Sequence, residues 1–317
     1  MTIRETLAEG TRLLKSPSPS SFIDTPALDA ALLLAEVLHS SREELIIRGN
    51  DPITESDRDA FSRLISKRRN GECVAYILGR REFRGLEFSV NPHVLVPRPD
   101  TETLVEAALE YIDSRRRADT PPDHEQGEHS FSLLDLCTGS GAVAISLASA
   151  LKNEYPFLRV CASDISPEAL ETAALNAARL LDGRLSDDNR NSVRFIHSDI
   201  FENIPDKFNI IVSNPPYVPS AEISTLAPEV RREPILALDG GADGLELIRR
   251  IISQAPEHLL PGGILLLEAG AGQMQDICLL LETHHFTSIR IHKDLAGRDR
   301  VISGEVQDWS PNTNFHF

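Results

Sequence analysis

Residues 131–137 form an apolar run broken only by Ser132 and Asp135, and it stops at Thr138-Gly139-Ser140-Gly141. Helical spacing then takes over through Ala142, Val143, Ile145, Leu147 and Leu151. A strand, a glycine turn and a helix in that order leave few folds open. The glycines let backbone come close to a ligand, and N–H groups at the helix start point at it. Similar apolar runs recur at 158–163, 193–197, 208–213 and 263–268, alternating with helical patterns. That alternation predicts an α/β, Rossmann-like fold: a mostly parallel sheet covered on both faces. The last runs, 287–292 and 301–306, follow one another without a long helix, which predicts an antiparallel edge pair.

The first segment has a different character. Residues 1–75 read as helices: Leu28, Ala31, Leu32, Ala35 and Leu38 make a helical stripe. Thr54-Glu55-Ser56-Asp57 has the pattern of a capping box ahead of Phe61, Leu64 and Ile65. Ser16-Pro17-Ser18-Pro19-Ser20 reads as a loop. From Arg81 to Val96 apolar and polar residues alternate around Gly85 and Asn91-Pro92, which predicts a β-hairpin. Pro97-Arg98-Pro99 breaks the chain, and a helix is predicted from Thr101 to Tyr111. The resulting division is a helical domain over 1–80, a hairpin linker over 81–97 and an α/β domain over 98–317. Residues 118–129 and 182–192 read as polar inserts, expected to be mobile.

Charge narrows the partners. Residues 1–85 hold thirteen basic and thirteen acidic side chains, so the whole net charge of −16 falls on the remainder. Such a field repels a phosphate-rich duplex, and stable nucleic-acid binding is not expected. Lys67, Arg68, Arg69, Arg80, Arg81 and Arg84 cluster late in the first segment. They read as a solvated face first, and as an edge for an acidic protein surface or RNA second. The apolar runs are too short for a membrane span, and the first residues lack a signal-peptide layout. Cys73, Cys137, Cys161 and Cys278 are far apart, which predicts free thiols in a reducing cytoplasm and no metal site.

Two motifs carry chemistry. The strand run at 158–163 ends in Asp164, some twenty residues beyond the glycine turn, where an acid can grip both ribose hydroxyls of a nucleotide. A helix cap before Ser166-Pro167-Glu168 is the plainer role for that acid. Gly139, Gly141 and Ala144 also satisfy the dinucleotide fingerprint, a weak signal alone. The second motif, Asn214-Pro215-Pro216-Tyr217, directly follows the run at 208–213. Asn214 can accept a hydrogen bond from a planar NH2 group, and a proline-fixed carbonyl at Pro215 can accept a second. Pro216 adds rigidity, and the Tyr217 ring can cover the planar face. A strand-ending turn would use the same residue types. The two motifs together point to methyl transfer onto a planar nitrogen, which a hydride-transfer enzyme would not need.

With these pieces in hand, the chain resembles the peptide-chain-release-factor glutamine methyltransferases, the HemK-like or PrmC family. The likeness runs from the helical leader nearly to the end. It is carried by Ala75-Tyr76-Ile77-Leu78-Gly79, Glu82-Phe83-Arg84-Gly85 and Val94-Leu95-Val96-Pro97-Arg98-Pro99-Asp100-Thr101-Glu102. It continues in Leu134-Asp135-Leu136-Cys137-Thr138-Gly139-Ser140-Gly141, Asp164-Ile165-Ser166 and Ser213-Asn214-Pro215-Pro216-Tyr217. Asp239-Gly240-Gly241-Ala242-Asp243-Gly244-Leu245 and Asp294-Leu295-Ala296-Gly297-Arg298-Asp299-Arg300 complete it. Asn-Pro-Pro-Tyr alone is shared with other amino-methyltransferases; the other segments are more restrictive.

The resemblance implies a class I S-adenosylmethionine-dependent methyltransferase behind a helical, substrate-holding domain. It implies methylation of the glutamine amide in the Gly-Gly-Gln loop of release factors. It further implies cofactor contacts from Cys137, Thr138, Gly139, Ser140, Gly141, Asp164 and Asn214, with Ile200 flanking adenine or packing in the core. Asn214, Pro215, Pro216 and Tyr217 would be catalytic. Residues from Leu95 to Glu102 would wall the pocket, with Glu102 equally suited to capping its helix. Cys137 and Cys73 depart from the family pattern, which usually has glycine and proline there. A cysteine at 137 is harmless if that backbone needs no positive φ. His197, His284 and His285 lack a partner pattern and read as surface or structural, and Asp243 reads as a helix cap. The rival readings are a nucleic-acid adenine amino-methyltransferase and a non-enzymatic factor-binding protein that kept the fold.

Overall fold

The structure is a computed structural model that describes residues 1–15, 23–118, 131–155, 158–181 and 193–307. The loop expected at 16–20 and the inserts expected at 118–129 and 182–192 lie outside the described residues, save Ala118. By contacts the chain forms two compact units.

The first unit comprises Met1–Arg80, Val90–Pro92 and Ser224–Ile235. Its helices are α1 (Ile3–Lys15), α2 (Pro26–Val37), α3 (Arg42–Ile47), α4 (Glu55–Arg69) and α5 (Val74–Leu78). Each starts on a chemical signal. Pro26 opens α2, and Ser41 and Glu44 form a reciprocal capping box on α3. The Thr54 hydroxyl accepts the Asp57 N–H at 3.1 Å to cap α4. The Cys73 sulfur accepts the Tyr76 N–H at 3.5 Å, so this departure from the family pattern serves as the cap of α5. Leu33, Leu34, Leu45, Phe61 and Ile65 fill the core.

The basic cluster is only in part a solvated face: Lys67 and Arg81 are exposed, but Arg68 is not. Arg68 is buried, and its guanidinium lies 2.6 Å from Asp29 on α2 and 2.6 Å from Glu229 in the distant segment Ser224–Ile235. Arg80 pairs with Glu36, and Arg84, in the second unit, sits 3.2 Å from Glu106. The partners were invisible locally because they come from remote parts of the chain.

The second unit starts with a hairpin of β1 (Arg80–Phe83) and β2 (Leu86–Ser89) turned at Arg84-Gly85, whose φ angles are +50° and +75°. Two positive φ values suit the tight turn that matches strand twist. The hairpin is shorter than its alternating sequence predicted, because Asn91-Pro92 ends the pairing. A single 3₁₀ turn at Pro99–Thr101 precedes α6 (Glu102–Ala118), so the helix starts one residue later and runs further than expected.

Next come β3 (Ser132–Leu136), α7 (Ala142–Leu151), β4 (Arg159–Asp164), α8 (Pro167–Leu180), β5 (Val193–His197) and β6 (Phe208–Ser213). The chain finishes with α9 (Glu246–His258), β7 (Leu259–Glu268), α10 (Met274–Thr283), β8 (Thr287–Lys293) and β9 (Asp299–Glu305). The sheet order is β5-β4-β3-β6-β7-β9-β8. The first five strands are parallel, and β9 runs antiparallel to both β7 and β8, giving the expected edge pair.

Strand residues alternate between two cores, as a period of two demands. Leu133, Ile210, Val212, Ile264 and Leu266 pack with Leu104, Ala108 and Ile112 of α6 and with α7. Leu134, Leu136, Ile211, Leu265 and Leu267 pack with Ile248 and Ile252 of α9 and Ile277 of α10. No helix among the described residues is long and apolar enough to cross a membrane.

The Arg68 site gives a test of the first unit. Removing the arginine strands two carboxylates, one of them buried. Arg68→Met is expected to cost roughly 3–5 kcal/mol, read by urea unfolding of the full chain, and Asp29→Asn in the same protein should recover part of it. A cost below about 1 kcal/mol would mean that water already screens the network.

Candidate active site

Parallel pairing brings distant residues to one edge. Leu136, the last residue of β3, pairs with Ser163 of β4 on one side and Ser213 of β6 on the other. Ser213 in turn pairs with Leu267 of β7. The segments after these strands therefore leave the sheet side by side. Strand order reverses at β3, and such a switch point opens a ligand crevice at the carboxyl ends of the strands.

The glycine turn is held from below and from the side. Buried Asp135 accepts the Thr138 hydroxyl at 2.6 Å and the Ala144 N–H at 3.1 Å, both on Oδ2. Burial pushes its pKa up to about 7, against the two hydrogen bonds. The Thr138 N–H donates to the Ser163 carbonyl at 2.9 Å, which ties the turn to β4. The Ser140 carbonyl accepts Asn176 Nδ2 from α8 at 2.9 Å, and that same amide holds Ser89 of the hairpin. Gly141 opens α7. Gly139 has φ +55°, and the place where a Cβ would stand is open space. A bare backbone facing a gap is a cradle for a ligand.

Asp164 sits beside that gap. Its Oδ2 accepts the Gly139 N–H at 2.9 Å and its Oδ1 accepts the Ser166 N–H at 3.0 Å. Burial raises its pKa, and these N–H groups oppose the rise. The cap of α8 is Ser166, whose hydroxyl accepts the Ala169 N–H at 3.2 Å. Asp164 is thus not the cap; it faces the turn.

Cys137 corrects an expectation. Its φ is +58°, so the condition under which a cysteine there would be harmless is not met. A side chain there costs roughly 1–2 kcal/mol, which explains why glycine suits the position. Burial and the Asp164 charge push its thiol pKa up, so the group is inert at neutral pH. Ile200, also at positive φ, is buried among Phe201, Ile204 and Ile196 in the core.

At the other side of β3 stands the Asn-Pro-Pro-Tyr segment. Asn214 Nδ2 donates to Thr101 Oγ1 at 3.2 Å, which turns Oδ1 away from that partner. Pro215 is buried, while Pro216 is partly exposed. The Tyr217 hydroxyl donates to Oε1 of Glu268 at 3.2 Å. Glu268 ends β7, is fully buried, and has its pKa raised to about 7 by burial. Arg300 completes the surroundings, 2.9 Å from Asp100 and 3.5 Å from Asp294.

The remaining candidates have local duties. Asp243 accepts the Leu245 N–H at 3.1 Å at the start of α9 and pairs with Arg249. Glu102 accepts the Arg84 N–H at 3.4 Å. His197 Nε2 meets the Ile165 carbonyl at 2.9 Å. His284 and His285 follow the end of α10. Sequence reasoning assigned no site role to Asp135, Glu268 or Arg300, and placed Thr101 only within the pocket wall from Leu95 to Glu102. A signal existed for two of them: Asp135 and Glu268 are acids inside or ending otherwise apolar strands.

With this geometry in place, likeness to known proteins decides the family. Residues 5–79 match the PrmC N-terminal domain and residues 123–230 the methyltransferase small domain. The chain is 41% identical over 283 residues to a release factor glutamine methyltransferase of Neisseria gonorrhoeae, spanning 88% of this chain and 93% of that one. It is 36% identical over 306 residues to that of Clostridium acetobutylicum, spanning 95% and 98%. The chain belongs to the release factor glutamine methyltransferase family.

Among solved structures it is similar to the hMettl16 catalytic domain in complex with a MAT2A 3′UTR hairpin. The TM-score is 0.51 at 14% identity, over 78% of this chain and 82% of that one, a likeness of fold alone. That fold is the class I S-adenosylmethionine-dependent methyltransferase sheet. The residues present fit the cofactor of this family: Gly139 leaves an open cradle, and Asp164 offers a carboxylate beside it.

Asp135 carries a pH test. Its folded pKa of about 7 lies above the ordinary 3.8. Its contribution to stability is therefore full below about pH 4 and fades as pH rises through about 7. Asp135→Asn keeps an oxygen for both hydrogen bonds but cannot ionise. It is expected to flatten the decline of the urea midpoint between about pH 4 and about pH 7; an unchanged decline would assign that decline to other groups.

Proposed function

We propose that this protein transfers a methyl group from S-adenosylmethionine to the side-chain amide nitrogen of the glutamine in the Gly-Gly-Gln loop of peptide chain release factors. The observation that carries this reading is the orientation of Asn214. With Nδ2 tied to Thr101, its Oδ1 remains to accept one amide hydrogen. The Pro215 carbonyl accepts the other.

An amide nitrogen is a weak nucleophile because its lone pair is delocalised into the carbonyl. Fixing both hydrogens holds the nitrogen in one attitude, and the gain comes from positioning and fixed dipoles. Tyr217 packs over the amide plane. The clamped nitrogen gains the methyl group and sheds one proton. An N-protonated amide is acidic enough to give that proton to water, so a strong base is unnecessary. When bound, S-adenosylmethionine supplies an electrophilic sulfonium methyl. Thr138, Gly139, Ser140 and Gly141 would line it, Asp164 would hold its ribose, and Cys137, Ile200 and Asn214 would flank it. The helical unit would hold the protein substrate, and work on translation factors places the enzyme in the cytoplasm.

The rival, amino-methylation of adenine in nucleic acid, meets a chain whose net charge of −16 falls beyond residue 85. Such a field opposes a polyanion. Family membership favours the protein substrate.

The test is incubation of the full chain with labelled S-adenosylmethionine and purified release factors, with mass spectrometry to locate the methyl group. Asn214→Ala is expected to keep most of the cofactor affinity by calorimetry while methyl transfer falls about 10²–10³-fold. Full activity of that variant would remove Asn214 from the mechanism, and methylation of free DNA or RNA alone would favour the rival.

A further inference from the structure

Glu268 is a buried carboxyl that the fold makes little use of. Its Oε1 takes the Tyr217 hydroxyl, while Oε2 is buried without a hydrogen-bond partner among the described residues. A group this costly to bury and this incompletely satisfied is better explained by what it does to its neighbours. Those neighbours are the supports of the amide clamp. The Thr101 hydroxyl, itself buried, accepts Asn214 Nδ2 at 3.2 Å, and the Thr101 side chain favours the ionised form of the Glu268 carboxyl.

A threonine hydroxyl has one proton. When a carboxylate takes it, only lone pairs face Asn214. The asparagine must then offer Nδ2 to Thr101 and turn Oδ1 the other way. Without that acceptor the Thr101 proton is free to bond Asn214 Oδ1, and the amide reverses.

We propose that Glu268 is a positioning residue: by accepting the Thr101 hydroxyl proton, its carboxylate obliges Asn214 to present Oδ1 to the substrate amide. The inference rests on the amide clamp described under the proposed function. Glu268 also holds the Tyr217 hydroxyl, so one carboxyl sets two walls of the clamp. The charges around it come from several elements. Asp100 on the 3₁₀ turn opposes ionisation, and Arg300 of β9 favours it. Asp294 in the turn before β9 and Arg98 act at one remove, through Arg300 and Tyr217. A protonated Glu268 can donate to Thr101 and release the threonine proton toward Asn214. Activity should therefore rise with pH through about 7, where this carboxyl titrates.

The experiment is steady-state methylation of a purified release factor by the full chain across that pH range. In Glu268→Gln, kcat at alkaline pH is expected to fall about tenfold, with KM within about twofold, and the rise through neutral pH should vanish. Thr101→Val should lose a similar factor, Thr101→Ser should restore most of it, and Thr101→Val combined with Glu268→Gln should be no worse than Thr101→Val alone. Wild-type kcat with an unchanged pH profile in Glu268→Gln overturns the inference, and so does a double-variant loss equal to the product of the singles. If Glu268→Gln fails to fold, the contrast between Thr101→Val and Thr101→Ser decides: equal, wild-type rates for both overturn it. A wild-type chain that methylates no release factor would be a failure of the proposed function, a different outcome from any of these.

Discussion

Leu136 carries a parallel hydrogen-bonded neighbour on each side, Ser163 and Ser213, and the functional geometry depends on that double pairing. Parallel strands end on the same edge, so the two neighbours deliver Asp164 and Asn214 to either side of the glycine turn. Both faces of these strands are packed, which leaves the exits little freedom to shift. The Ser213 hydroxyl donates to the Leu136 carbonyl at 2.8 Å and adds a side-chain bond to the ladder at its last rung. A cofactor site on one strand exit and an amide clamp on the other then face a common crevice without any loop having to reach across.

The buried charges of the two units are handled in opposite ways. In the helical unit Arg68 meets two carboxylates, so the desolvated charges neutralise one another. In the α/β unit Asp135 and Glu268 are buried with no ion-pair partner of that kind, and both are driven toward neutrality. Asp135 uses its position to fasten the glycine turn, and a neutral amide could do the same. Glu268 holds the Tyr217 hydroxyl of the clamp. The contrast separates a charge network that holds helices together from acids whose burial serves the edge where chemistry is expected.

Much of this fold could be read from the residues. Phe208–Ser213 and Val193–His197 match their predicted strands because a strand buried on both faces is a short apolar run with nothing to blur it. The hairpin was overextended because residues 91–96 keep alternating after the pairing has stopped. Arg68 was misread for a deeper reason: it finds Asp29 and Glu229 through the tertiary fold, and no short window of sequence contains all three. Cys137 reads as an ordinary small residue, and only the backbone reveals its left-handed conformation. At the site, residue types at strand ends pointed to Asn214 and Asp164. Thr101 was seen only as part of the pocket wall and Glu268 stayed hidden, since an acid on a distant strand signals nothing until the fold brings it to Tyr217.

Tyr217 is fixed from its backbone as well as from its hydroxyl. Its carbonyl accepts Gln273 Nε2 at 3.0 Å, and the next residue, Val218, exchanges backbone bonds with Leu238 and Gly240 at 2.9 Å each. A Cβ on Gly244 would stand 2.3 Å from the Tyr217 carbonyl oxygen, so the segment from Asp239 to Leu245 can close over the tyrosine only with glycine there. The two glycine-rich stretches of the chain thus do different physical work. The one after β3 leaves room for a ligand, while the one before α9 removes a side chain so that backbone can press against the clamp. A rigid aromatic wall needs both of its ends held. The hydroxyl end is held by an acid whose charge can change with pH, and the backbone end by contacts that cannot titrate. Near neutral pH the response of the clamp therefore comes through Glu268 and its neighbours, since hydrogen bonds hold Asp239 and Asp243 of the Asp239–Leu245 segment below the usual carboxylate range.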